Sequence, residues 1–285
     1  MLRKIIILTE SGADIPVKTA MKLGIHIVPM HVAFGEHNLN DGAFLPNEIF
    51  TYYKQTRQIP STSATNPQEY REAYLKIKQQ NPDCKILHLC YSAVTTATWQ
   101  NAIIGSDGIS GITHIDTKSV SAGQGNLVIK AAKYLETHPN ILLDELVAAI
   151  HKWIENARMY FIPENLDYLL AGGRVSNAQY IGANILHLKP MIEIKNGYLV
   201  STKKYRGRMS TVCLRLLEDV LKNNQFGKED IYLLYSKGLS QDTMRKAGQF
   251  LGEKGYSNVR WVQTGCVIST HAGPGAFGVG GIVAQ

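Results

Sequence analysis

The residues best suited to chemistry lie in four short loops that are rich in hydroxyl and glycine side chains. The loops are TESGAD (9–14), STSATN (61–66), YSAVTTAT (91–98) and STHAGPG (269–275). The last of them holds a histidine, His271, beside glycines that leave space for a ligand. Hydroxyl groups, free N–H groups at helix N-termini and an imidazole can together bind a carboxylate or a phosphate. The loops therefore predict an anion-binding site.

Each loop also has a purely structural interpretation. Ser, Thr, Asp and Asn are favoured at helix N-caps and in turns whatever the function. Thr62 can cap the helix that follows Pro67. Thr96 or Thr98 can cap the helix that carries Trp99. Four such loops together with one histidine favour a shared polar site over a set of unrelated caps.

Several common catalytic signatures are absent from the sequence. It has no G-x-x-x-x-G-K-[ST] phosphate loop and no G-x-S-x-G hydrolase elbow. The stretch GPGAFGVGG has the glycines of a dinucleotide site, but the sequence given has no β-α-β unit after it. No His, Asp or Glu cluster has metal-ligand spacing, so we expect no metal and no cofactor. The pattern indicates a receptor rather than a catalyst.

Charge, cysteines and hydropathy limit the partners and the compartment. The net charge is +7, but the basic residues are dispersed apart from KKYRGR (203–208), and no nucleic-acid-binding signature accompanies them. The four cysteines form no C-x-x-C pair. No apolar run approaches the ~20 residues that cross a bilayer. We therefore expect a cytoplasmic protein with no nucleic-acid partner and no stable membrane insertion.

The periodicity of apolar residues predicts an α/β fold with two α/β domains. In the first half, strand-like runs alternate with helical patterns, which indicates a mainly parallel sheet. The pattern restarts in the second half, where a hairpin turning at Asn196-Gly197 predicts a mixed sheet. The predicted domains are residues 1–157, with the hydroxyl-rich loops, and 158–285, with the GGRVS and HAGPG motifs.

Seven stretches of the chain, in order, match motifs of one known family. The sequence resembles the DegV-like fatty-acid-binding proteins over essentially its whole length. The matching stretches are TESGADIP (9–16), STSATNP (61–67), YSAVTTATWQNA (91–102), IDTKSVSAGQG (115–125), LDYLLAGGRVSNAQ (166–179), LKPMIEIKNGYL (188–199) and THAGPGAFG (270–278).

The resemblance implies a function and a set of ligand-binding residues. It implies a carrier that holds one long-chain fatty acid in an apolar tunnel and presents its carboxylate to a separate fatty-acid kinase, which makes an acyl-phosphate. Thr62 and Ser63 match the first hydroxyl loop of the family, and Thr96, with Ser92 in reserve, matches the second. His271 matches the histidine before Gly-Pro-Gly, whose glycines would let the backbone pass close to the carboxylate.

Two further groups of residues keep alternative interpretations. In GGRVS, Gly172 and Gly173 precede Arg174, which we interpret as an ion-paired structural arginine in preference to a residue at the ligand mouth. Arg206 and Arg208 lie where the family has a basic loop. They form either a solvated basic surface or a docking site for an acidic surface of the kinase.

Other functional classes also remain open. The main alternative is an α/β enzyme that acts on a small anionic substrate with His271 as general acid/base. A DNA-binding regulator is a more distant alternative, because only the positive net charge favours it.

Overall fold

The computed structural model describes residues 4–175 and 188–284. A four-stranded parallel sheet in the order β2-β1-β6-β7 forms the core of the first half. Its strands are β1 (Ile5–Glu10), β2 (Ile25–Val28), β6 (Lys85–Cys90) and β7 (Ile112–Asp116). The helices of this half are α1 (Val17–Leu23), α2 (Pro46–Thr56), α3 (Pro67–Gln80), α4 (Thr98–Gly105), α5 (Ser121–Thr137) and α6 (Leu143–Asn156).

A small antiparallel sheet in the order β4-β3-β5 lies beside the parallel one. Its strands are β3 (His31–Phe34), β4 (His37–Asn40) and β5 (Ser61–Ser63). The apolar run over 25–34 predicts a strand with an edge or a strand end at Pro29, and the structure divides the run there between two sheets. Pro29 has no N–H to donate to a ladder, and Met30 donates its N–H to the Ser11 hydroxyl at 3.0 Å instead.

The second half contains a six-stranded mixed sheet in the order β10-β9-β8-β13-β11-β12. Its strands are β8 (Ala157–Ile162), β9 (Leu188–Lys195), β10 (Tyr198–Arg206), β11 (Tyr232–Tyr235), β12 (Arg260–Gln263) and β13 (Phe277–Ile282). The helices are α7 (Leu166–Gly172), α8 (Met209–Asn223), α9 (Gln241–Glu253) and α10 (Cys266–Ala272). Among the named strands of this sheet in the described residues, β11 and β12 are the pair that runs in parallel, and the hairpin turns at Asn196 and Gly197 with φ values of 52° and 87°. The predicted α/β fold class is confirmed, whereas the domain division at residue 157 stays a prediction.

The stretch predicted as the STHAGPG loop is mostly helical, which corrects the sequence-based interpretation. Helix α10 contains His271, and the C-cap of the helix is Gly273, which has a φ of 68°. The N-cap residue, Gly265, offers no side chain; Asp41 accepts the Cys266 N–H at 2.9 Å from 225 residues away in sequence. A local pattern cannot indicate this helix start, because the capping carboxylate comes from a distant turn.

Helix α5 connects the two large sheets. It is buried on all sides over most of its first three turns and contacts β1 and β6 of one sheet and β8 and β13 of the other. Its glycines allow this close packing: a Cβ at Gly123 would lie 2.9 Å from Met159 Sδ, and one at Gly125 would clash with the Ala13 carbonyl oxygen. Within the described residues, no helix is long and apolar enough to cross a membrane.

Candidate functional site

A cavity of about 220 Å³ lies where the loops of the first half face the second sheet and α10. Its wall is mostly apolar. The apolar side chains that line it come from both halves of the chain: Met30, Tyr91, Val120, Met159, Phe161, Leu169, Leu199, Leu234, Val267 and Ile268. The polar side chains in the wall are Thr62, Ser63, Thr95, Thr96, Ser121, Arg174 and His271.

The cavity wall contains a hydrogen-bonded pair made by Thr62 and His271. Thr62 is on β5, opposite Val32 of β3, and His271 is in the last turn of α10. The Thr62 Oγ1 and His271 Nε2 atoms are 2.8 Å apart. The other ring nitrogen, Nδ1, is buried and has no hydrogen-bond partner among the described residues. It lies against Gly172, and a Cβ at position 172 would clash with Nδ1. Gly172 therefore fixes the position of the imidazole by allowing α7 to approach α10.

The imidazole of His271 is neutral at physiological pH. Burial, and secondarily the charge of Arg174, lower its pKa from 6.5 to about 4. A neutral imidazole has one N–H, and two tautomers fit the distance to Thr62. If Nε2 carries the proton, it donates to Thr62 Oγ1 and leaves the Thr62 hydroxyl proton available for an anion. His271 then acts through Thr62 and supplies no positive charge.

Thr96, the second predicted hydroxyl residue, lines the cavity and also makes hydrogen bonds at the start of a helix. Its Oγ1 accepts the Thr98 N–H at 2.9 Å at the start of α4, and it also contacts the Thr98 hydroxyl. Ser63 is exposed on β5 and lines the cavity. Ser92 does not line this cavity: its buried hydroxyl donates to the Gly197 carbonyl oxygen at 2.9 Å, which ties the loop after β6 to the tip of the hairpin.

The GGRVS segment borders the cavity at the end of α7. Gly173 ends the helix with φ 63°, and the Arg174 guanidinium donates to the Gly172 carbonyl oxygen at 2.5 Å. Arg174 is exposed, lines the cavity, and forms no salt bridge within the described part of the chain. This position does not support the interpretation as an ion-paired arginine. Residues 176–179 of the matching motif lie outside the described residues.

The glycines after His271 and the basic pair do not line this cavity. A Cβ at Gly273 would lie 2.8 Å from the Tyr168 ring, so this glycine makes room for an aromatic side chain. Arg206 and Arg208 are exposed at the end of β10 and before α8, and neither lines the cavity.

Two buried carboxylates, Asp14 and Glu10, belong to the predicted loop 9–14, but the sequence does not single them out as site residues. Asp14 accepts from the Ser121 hydroxyl at 2.5 Å and from the Gly265 N–H at 2.7 Å. Burial raises the pKa of Asp14 well above its usual range. Ser121 has φ 48° at the start of α5 and lines the cavity. It belongs to the matching stretch 115–125, which was the only sequence signal for it.

The second carboxylate, Glu10, is fully buried at the end of β1. Its oxygens accept hydrogen bonds from the Tyr70 hydroxyl, His88 Nε2, the Tyr91 N–H and the Gln124 amide, at 2.7 to 3.0 Å. Burial raises its pKa, but His88 and the hydrogen bonds outweigh burial and lower it. The side-chain ligand atoms of Glu10, His88 and Cys90 lie within 4.8 Å of one another, a grouping that the linear spacing does not show. The Glu10 carboxylate thus accepts four hydrogen bonds from protein groups. One of these donors is the Tyr91 N–H, so Glu10 holds the Tyr91 backbone at the cavity wall.

The fold and the site define an α/β protein with two large sheets and a mostly apolar cavity whose polar groups are hydroxyls and a neutral imidazole. The DegV family model, which describes an uncharacterised protein family, matches residues 4–283, and the chain belongs to the DegV family. This confirms the resemblance that the motifs indicate.

Relatives and solved structures cover nearly the whole chain. A DegV domain-containing protein of Caldanaerobacter subterraneus is 28% identical over 98% of each chain. A protein of Thermotoga maritima named fatty acid-binding protein is 26% identical over 97% of each. A structure from Thermus thermophilus, described as showing fatty acid binding of a DegV family protein, has a TM-score of 0.88 at 24% identity and covers 99% of this chain and 100% of its own.

Proposed function

We propose that this protein binds a long-chain fatty acid in the cavity of about 220 Å³. The observation that carries the proposal is an apolar wall combined with the hydrogen-bonded Thr62–His271 pair. The relatives support it: the Thermotoga maritima protein is named a fatty acid-binding protein, and a structural neighbour from Eubacterium ventriosum is described as binding stearic acid (TM-score 0.81, 22% identity, 99% of this chain and 98% of that one).

The apolar wall accounts for most of the proposed affinity. Each methylene that leaves water contributes about 0.8 kcal/mol. The cavity is smaller than the roughly 300–1,000 Å³ of typical ligand sites, so the acyl chain must displace side chains as it enters. Met30 and Met159 suit this role because methionine is unbranched and adapts its shape.

The polar end orients the ligand. In our proposal the hydroxyls of Thr62 and Thr96 donate to the carboxylate, and His271 holds Thr62 in place. Ser63 and Arg174 stand at the same wall as further donors. We leave Ser92 out of the ligand set because its hydroxyl already donates to Gly197.

Mass spectrometry of the denatured protein as purified should first identify a co-purified fatty acid. The binding test of this site then uses protein freed of lipid. Thr62→Val keeps the side-chain shape and removes the hydroxyl, so it should weaken oleate binding about tenfold, the effect of losing one hydrogen bond to a charged group. The matched control is Thr202→Val, a change of an exposed strand threonine. Equal oleate affinity of Thr62→Val and wild type would refute the site. Turnover of a small anionic substrate without a partner would support the enzyme with His271 as general acid/base.

We further propose that the protein is a cytoplasmic carrier without catalytic activity of its own, which presents the carboxylate to a separate fatty-acid kinase. Arg206 and Arg208 are exposed and outside the cavity, as a docking surface for an acidic partner requires. Arg206→Glu should slow association with the kinase and reduce its salt dependence, while oleate binding stays unchanged. A kinase that engages Arg206→Glu at the wild-type rate would contradict this docking surface.

A further inference from the structure

A second cavity, of about 560 Å³, lies on a different side of α5. Its wall is formed by the segment 13–23, which includes α1, by the middle of α5, and by β11 and β12. The cavity therefore lies between two helices of the first half, α1 and α5, and the edge of the mixed sheet. It shares no lining residue with the cavity that contains Thr62 and His271.

The wall of this second cavity carries more positive than negative charge. Lys18 and Lys22 are one turn apart on α1, and Lys133 faces them from α5; all three are exposed at the rim. Arg260, at the start of β12, is half-buried further in. None of these four cations forms a salt bridge within residues 4–175 and 188–284. The nearby Asp230 is paired with Lys130 at 2.9 Å.

The wall has two acidic residues against these four cations. They are Asp14 and Glu136. Asp14 is buried, is held by the Ser121 hydroxyl and the Gly265 N–H, and has a pKa well above its usual range because of burial. Glu136 is exposed at the rim.

The inner wall positions hydrogen-bond donors. Asn126, which is 5% exposed, accepts a hydrogen bond from one guanidinium nitrogen of Arg260 and so orients the guanidinium. Tyr232 is 2% exposed, and its hydroxyl makes no hydrogen bond with any described residue. The half-buried Trp261 packs against Tyr235 and Phe277, on the opposite face of the mixed sheet from Val262.

We propose that this cavity binds a small soluble molecule that carries a phosphate or diphosphate group. The oriented Arg260 guanidinium matches the geometry of phosphate oxygens, and the three rim lysines compensate the multiple charge. Val262 and Ile129 form an apolar surface for the body of the molecule. The site is separate from the proposed fatty-acid site and does not depend on it.

Isothermal titration of the full-length protein with pyrophosphate and with ADP tests the proposal at constant ionic strength, because a net charge of +7 attracts anions weakly everywhere. Wild type should bind at least one of the two with a saturable isotherm. Arg260→Gln should weaken that binding about tenfold or more, and Lys22→Gln, at an exposed position, should weaken it several-fold. Lys152→Gln, outside the cavity, is the matched control.

The outcomes separate the alternatives. Weaker anion binding by Arg260→Gln than by Lys152→Gln supports a second site whether or not the protein binds oleate. If the protein binds oleate, its oleate affinity should be the same in Arg260→Gln and wild type. The proposal is overturned if wild type binds neither pyrophosphate nor ADP. It is equally overturned if Arg260→Gln and Lys22→Gln bind the anion as tightly as Lys152→Gln does. It is also overturned if the protein binds only vesicles of phosphatidylglycerol, since the ligand would then be a membrane surface.

Discussion

The buried imidazole of His271 makes the stability of the protein depend on pH in a defined window. In the unfolded chain this histidine has a pKa of about 6.5, whereas in the fold burial, assisted by the charge of Arg174, lowers the pKa to about 4. Between these values the unfolded state binds the proton more tightly than the folded state. Stability is therefore fully present above pH 6.5 and decreases as the pH falls toward 4.

The size of the effect follows from the two pKa values. From pH 7.5 to pH 5 the linkage relation gives a loss of about 2 kcal/mol in the free energy of unfolding from His271 alone. The complete loss, reached below pH 4, is about 3 kcal/mol. Other groups titrate in the same range, and His114 also has a pKa lowered to about 4 by burial. The contribution of His271 must therefore be measured as a difference between variants.

Urea denaturation of lipid-free wild type and His271→Gln at pH 7.5, 6 and 5 isolates that difference. The glutamine variant lacks the titrating group, so its deficit in stability relative to wild type should shrink by about 2 kcal/mol between pH 7.5 and pH 5. His37→Gln, which changes an exposed histidine, should follow wild type at each pH. A deficit of His271→Gln that is the same at all three pH values would refute a neutral, buried imidazole.

Three further substitutions test the packing around the site. Gly172→Ala places a methyl group against the imidazole and should weaken oleate binding several-fold, measured by titration. Glu10→Gln leaves the donors around this buried carboxylate without their charged acceptor and should cost about 3 kcal/mol in urea denaturation. Gly197→Ala brings a methyl group within 2.5 Å of the Ser92 hydroxyl at a φ of +87°, and should cost about 1–3 kcal/mol in the same assay.

Each of these substitutions has a matched control within the chain. Gly248→Ala, in α9, meets no atom within 4 Å and should leave oleate binding unchanged while slightly stabilising the helix. Glu36→Gln changes an exposed glutamate and should be neutral. A Gly172→Ala protein with wild-type affinity, or buried Glu10 and Gly197 variants as stable as these controls, would contradict the packing described above.

The sequence was sufficient to predict the fold class because the fold class depends on local patterns of apolar, capping and turn residues. Residues 67–80 are helical as the pattern predicts, since Asn66 accepts the Glu69 N–H and Pro67 occupies the first turn. The hairpin at Asn196 and Gly197 is also confirmed, because both residues tolerate a positive φ. These signals act over a few residues and need no tertiary partner.

The assembly of the site required the tertiary structure. Thr62 and His271 are 209 residues apart, and a short strand and a seven-residue helix bring their side chains to 2.8 Å. The sequence selects both residues by type and motif, yet it does not indicate that the imidazole is neutral, because burial lowers its pKa. It also does not distinguish Thr96, which lines the cavity, from Ser92, whose hydroxyl donates to Gly197.

By itself the sequence determined the alternation of strands and helices, the family and the residue types of the loops that are predicted to bind an anion. Only the tertiary structure decided that His271 lies in a helix, because Asp41 supplies the cap of α10 from 225 residues away. Likewise, only packing places Arg260 beside Asn126 and forms the second, basic cavity. Local propensities set the elements, whereas pKa values, hydrogen-bond partners and cavities arise from groups that are brought together by folding.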